Sequence, residues 1–90
     1  MDEIIVNHIV ETVRWYHKRL SPSLSVHEKE ELLHQLIDYR MTRHKGPEIL
    51  KTSQFPLIDK YLDRDEVSSL ELAFIGGELY EDLKEQGAFS

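Results

Sequence analysis

Ser21-Pro22-Ser23-Leu24-Ser25-Val26-His27-Glu28 is the stretch on which the fold turns. Pro22 has no amide hydrogen and its ring crowds the carbonyl of the preceding helical turn, so a helix arriving here must stop. The second half is a start signal. In Ser25-Val26-His27-Glu28 the serine hydroxyl can accept from the amide three residues on, while the glutamate reaches back to the serine amide, the pattern of a capping box. A stop followed at once by a start predicts a helical hairpin.

Upstream of that turn, Ile5, Ile9, Val13, Tyr16 and Leu20 recur at helical spacing and share one face of a helix over residues 3–20. Val6, Val10 and His17 widen that face. Asp2 suits the cap position, Glu3 the positive end of the helix dipole, and Arg14, Lys18 and Arg19 its negative end. Downstream, Leu32, Leu33, Leu36, Ile37 and Met41 make the apolar stripe of a second helix starting at Ser25. Arg40, Arg43, His44 and Lys45 suit its C-terminus, and Gly46-Pro47 ends it.

Residues 47–63 are broken by prolines. Pro47-Glu48-Ile49-Leu50 can open a short helix with proline in its first turn. Phe55 precedes Pro56 and so avoids helical angles. Two helical turns over 56–62 follow, with an irregular segment as the alternative. The last helix is expected from about Asp65 to Gln86, capped by Asp65 or Asp63 and stopped by Gly87, with Ser68 and Ser69 tolerated inside its first turns. Val67, Leu70 and Phe74 lie on one edge of its apolar face, and Leu72, Ile75, Leu79 and Leu83 on another. Gly76 and Gly77 interrupt this helix at a cost of about 1 kcal/mol each relative to alanine. They imply close packing against the first or second helix, a kink, or a surface where a partner comes near.

The expected architecture is a single all-α domain over residues 1–90. A helical hairpin, a short connecting helix and a long acidic C-terminal helix form a three- to four-helix bundle. With 40% hydrophobic and 31% charged residues the composition is globular rather than disordered. A chain of 90 residues buries a modest core, so a homodimer is expected to help cover its apolar surface. The chain has no cysteine, which removes thiol chemistry and cysteine-based zinc sites and points to a reducing, cytoplasmic setting. No run approaches the roughly 20 apolar residues of a membrane span, and the acidic start does not resemble a signal peptide.

Charge is the strongest functional signal. Residues 1–58 are balanced, whereas residues 59–90 carry nine acids against three bases and account for the whole net charge of −6. A one-signed surface steers encounter with an oppositely charged partner. It also argues against general binding to nucleic acid or anionic membranes.

Catalytic constellations are sparse. His27, Glu31 and His34 share one side of the second helix, but the Glu-x-x-His spacing occurs once where a di-metal bundle needs it twice. A solvated helix face explains these residues. No nucleophile elbow or phosphate-cradling loop is present, and acids one turn apart, such as Glu78 and Glu81, are expected in any acidic helix. The five histidines are expected to titrate independently.

The expected function is therefore a non-catalytic protein-interaction module, without cofactor or metal, acting as an adaptor, inhibitor or immunity-type antagonist. It docks its acidic last helix on a basic partner surface. Glu71, Glu78, Glu81, Asp82 and Glu85 are the steering residues, and Tyr80, Trp15 and Phe89 the apolar anchors. Two alternatives remain. One is a dimeric nucleic-acid regulator using Arg14-Trp15-Tyr16-His17-Lys18-Arg19 and the basic residues of 40–45. The other is a helical metal- or nucleotide-dependent enzyme.

Overall fold

A computed structural model describes residues 3–88 and shows five α-helices, with no strand among the described residues. Helix α1 spans Glu3–Trp15, α2 Val26–Arg43, α3 Pro47–Thr52, α4 Pro56–Tyr61 and α5 Ser69–Glu85. A π-helical turn, Tyr16–Leu20, and a 3-10 turn, Ser21–Ser23, join α1 to α2.

The proline before α2 acts as expected, but through a widened turn. Pro22 cannot donate to the helix and crowds its carbonyls, so the turn ahead of it relaxes to wider spacing and the Ser21 amide donates to the Tyr16 carbonyl. Ser25 then caps α2 with both halves of its box formed: the Glu28 amide donates to Ser25 Oγ and the Ser25 amide to Glu28 Oε1, each at 3.1 Å. The amide bond from Ser25, joined by the Tyr61 hydroxyl, holds the Glu28 carboxyl below its ordinary pKa.

Helix α2 ends before Gly46, whose φ of 128° lies where only glycine sits easily. Helix α4 lacks a side-chain cap of its own. Instead Gln35, from the middle of α2, offers Oε1 to the amides of Leu57 and Ile58 at 2.9 and 3.3 Å. Helix α5 starts four residues later than expected. Its cap is Ser68 rather than Asp63 or Asp65: Ser68 Oγ accepts from the Glu71 amide at 3.2 Å. Asp63 serves the preceding turn, accepting from the Asp65 amide. The helix closes with Gly87 at φ 77°, where the Gly87 amide donates to Lys84 and the Ala88 amide to Leu83, a Schellman stop.

The long helices pack differently from a simple hairpin. Helix α5 is the common partner of α1 and α2, which touch each other little. His8 reaches Glu71 and His17 reaches Glu78, so α1 and α5 run parallel. Lys29 meets Asp82 and Arg43 meets Ser69, so α2 and α5 run antiparallel. Leu32, Leu36, Ile58, Ile75, Leu79 and Leu83 make the centre of the core. The apolar stripes are rotated from expectation. On α2 the buried line is Lys29, Leu32, Leu36 and Tyr39, leaving Ile37 and Met41 51% and 61% exposed. On α1 only Thr12 is buried, and core burial resumes at Tyr16 and Leu20 beyond its end. The chain leaves α5 uninterrupted through its glycines: a Cβ on Gly76 would sit an ordinary 3.9 Å from Leu36, and one on Gly77 would meet open space. No helix among the described residues is long and apolar enough to cross a membrane.

Candidate functional site

Four residues of α1, His8, Glu11, Thr12 and Trp15, recur at helical spacing and so lie along one flank of that helix. Facing them are Tyr61 and Leu62 at the end of α4, Asp63, Glu66 and Val67 in the following turn, and Glu71 and Ile75 on α5. Together they enclose an open cleft of about 460 Å³. Its floor is apolar, from Leu62, Val67 and Ile75. Its walls carry Trp15 and Tyr61, and four carboxylates, Glu11, Asp63, Glu66 and Glu71, surround it. No lysine or arginine lines it among the described residues.

Local structure fixes the acidic rim on one side. His8 Nε2 lies 2.8 Å from Glu71 Oε1, and Ser68 Oγ donates to the same oxygen at 3.3 Å. The Thr12 hydroxyl donates to the His8 carbonyl and holds that turn. On the other side the loop is set by Arg64, whose guanidinium forms a fork on both Asp59 oxygens. It also donates to the carbonyls of Leu50 and Ser53, and lies over the Phe55 ring. That one side chain ties α3, α4 and the turn bearing Asp63 and Glu66 together. Glu11 and Glu66 themselves have no ion-pair partner among the described residues.

The residues singled out in the sequence are scattered by the fold. Trp15, 38% exposed, and Glu71 meet in the cleft. Glu78 is drawn to the π-helical turn after α1, with Oε2 3.0 Å from His17 Nε2. Glu81, Glu85 and the half-exposed Tyr80 lie on the outer side of α5. Phe89 lies outside the described residues.

Asp82 leaves the steering set because its carboxylate is used inside the protein. Its Oδ2 accepts from the buried Tyr16 hydroxyl at 2.6 Å and from Ser21 Oγ at 3.0 Å, and the buried Lys29 ammonium lies 3.4 Å away. Burial pushes the Asp82 carboxyl up, but the Tyr16 and Ser21 hydrogen bonds and the Lys29 charge outweigh it and hold it below the usual carboxylate range. Burial first, and then the Asp82 bond and charge, push the Tyr16 phenol well above its ordinary value.

Glu11, Asp63, Glu66 and Tyr61 are cleft residues that sequence reasoning missed. The legible clue was Glu11, one turn before Trp15 on the same flank of α1; the other three come from segments that only the tertiary fold brings near. The two basic clusters lie at separate places along α5: His17 pairs with Glu78, whereas Arg43 donates to Ser69 in the first turn. Among the described residues no group of three or more histidines, aspartates or glutamates is arranged to hold a metal ion. The fold and cleft define a small all-α protein with an acidic, aromatic-walled recess. The chain matches no protein-family model, no curated protein sequence and no solved structure.

Proposed function

We propose that this protein is a non-catalytic interaction module whose acidic cleft receives a lysine or arginine side chain from a basic protein partner. The observation that carries the reading is one recess combining four carboxylates, two aromatic rings and an apolar floor, with no lysine or arginine lining it among the described residues and His8 engaged with Glu71. A long cationic side chain matches all three components. Its methylenes lie on the apolar floor, its charge sits among carboxylates, and the Trp15 ring adds cation–π attraction of about 0.5–2 kcal/mol, the Tyr61 ring being already engaged by Lys60 at 5.1 Å. Glu81 and Glu85 on the outer side of α5 extend the negative field and steer the approach.

Trp15 is the only tryptophan in the chain, so its fluorescence reports on the cleft directly. The test titrates the protein with a short peptide carrying alternating arginine and alanine, and with an acidic control peptide, at low and moderate salt. The expected result is a saturable change in Trp15 emission with the basic peptide alone, weakened by salt and by Glu11→Lys or Glu66→Lys. No saturable change at low salt refutes the reading. Affinity capture from the native lysate then identifies the partner, whose binding must be lost in the same two variants.

A further inference from the structure

The flank of α1 opposite the cleft is apolar, exposed at Val6 and Val10 and half-buried at Val13. Val6, Val10 and Val13 recur there at helical spacing, close to half a turn around the helix from His8, Glu11 and Trp15. Val6 and Val10 are 39% and 44% exposed, and the adjoining Ile5 is 46% exposed. From Glu3 to Glu11 every residue of α1 is exposed except the half-buried Ile9, and within this part His8 bonds α5 through Glu71.

The charges beside this stripe indicate what covers it. Glu3 and Arg14 flank the stripe along the same edge, one near each end of α1. When two copies of a helix pack antiparallel about a two-fold axis, like edges meet, so a residue near one end faces the residue near the other end of its mate. A two-fold axis passing near residues 8 and 9 puts Glu3 of each copy against the second copy's Arg14. It also sets Val6 of each copy against the second copy's Val10. The helix dipoles then oppose favourably, and Ile5 and Ile9 close the other edge of the seam. In a parallel two-fold pair unlike edges meet, so Glu3 and Arg14 would face the apolar Ile5 and Ile9 edge of the second copy and gain no opposite charge.

From this self-complementary pattern we infer that the protein forms a two-fold homodimer through the Val6, Val10 and Val13 flank of α1, in antiparallel register, with both acidic clefts left open. Each α1 is about 20 Å long and 10 Å wide, a contact smaller than the roughly 800 Å² per partner of standard stable interfaces. The dimer is therefore concentration-dependent rather than permanent.

Sedimentation equilibrium from low to high micromolar protein tests this, with circular dichroism as the folding control. The unaltered chain is expected to pass from monomer to dimer. Val10→Glu, at a position exposed in the monomer, weakens the dimer by about tenfold or more while leaving the helical spectrum unchanged. Glu3→Arg weakens it through repulsion from the second copy's Arg14, and the double variant Glu3→Arg with Arg14→Glu restores it, because the same pairs form with their signs exchanged. A monomer at every concentration overturns the inference. So does a dimer indifferent to Val10→Glu, which would place the contact on another face, or a charge reversal that fails to restore association. None of these outcomes depends on whether the cleft binds a basic partner.

Discussion

Replacing Asp82 by alanine removes the acceptor on which Tyr16, Ser21 and Lys29 converge. The Lys29 side chain is 6% exposed and that of Asp82 16%, so the orphaned ammonium has little water to turn to. Breaking a buried ion pair from one side costs about 3–5 kcal/mol. The long Lys29–Asp82 distance of 3.4 Å favours the lower end, while the stranded Tyr16 hydroxyl adds to the loss. We expect about 3–4 kcal/mol, a large part of the roughly 5–14 kcal/mol available to a domain of this size. Asp82→Asn keeps an acceptor and loses only the charge, so about 1–2 kcal/mol is expected. The assay is urea denaturation followed by circular dichroism as a function of pH. Because the Asp82 carboxyl lies below its unfolded value, its contribution is fully present above about pH 4 and fades as the pH falls below that. Tyr16 has a raised value, so its contribution is present below about pH 10 and fades above it. In Asp82→Ala the acid limb shrinks, and the alkaline limb weakens without vanishing, since burial is the larger cause of the Tyr16 shift. A loss below about 1 kcal/mol at neutral pH, or an unchanged acid limb, refutes the reasoning.

Three further perturbations probe separate joints. Gly77→Ala adds a methyl group into open space on a regular helix and is expected to raise stability by about 0.5–1 kcal/mol in the same denaturation assay. Arg64→Lys keeps the charge but loses the fork on Asp59 and the plane over Phe55; about 1–2 kcal/mol of destabilisation is expected, with faster hydrogen exchange in α3 and α4. Gln35→Ala uncaps α4 and costs about 1–2 kcal/mol, detected as lost amide protection at Leu57 and Ile58.

Local signals in the sequence located most helix ends, because those ends are set by neighbours in the chain. Ser25 with Glu28, Gly46 with Pro47, Pro56 and Gly87 each act within a few residues, and each operates as the sequence implies. The sequence places the start of α5 at Asp63 or Asp65 and Ser68 inside the helix, although Ser68-Ser69-Leu70-Glu71 has the spacing of Ser25 to Glu28; the amide geometry makes Ser68 the cap. The faces were harder. Apolar spacing predicted burial of Ile5, Ile37 and Met41, but α5 lies between α1 and α2 and turns the buried line of α2 toward Lys29, Leu36 and Tyr39. A lysine on a core line cannot be anticipated without its partner, and Asp82 lies 53 residues away. The cleft was least legible, since its residues come from α1, α5 and the region around Tyr61–Val67, none of which carries a motif alone.

The parallel pairing of α1 with α5 also sets an order of assembly. The partners of His8, Tyr16, His17 and Lys29 lie 53 to 66 residues further along the chain. A growing chain that has produced α1 and α2 has their helical signals in place but none of the groups that hold them together. Closing such distant contacts is slow compared with forming helices. Helix α5 is thus the one that completes the packing of α1 and α2. Until it arrives, Lys29 and Tyr16 lack their Asp82 partner, and α1 is expected to fluctuate apart from α2, α3 and α4, which are joined to one another through Gln35, Tyr61 and Arg64.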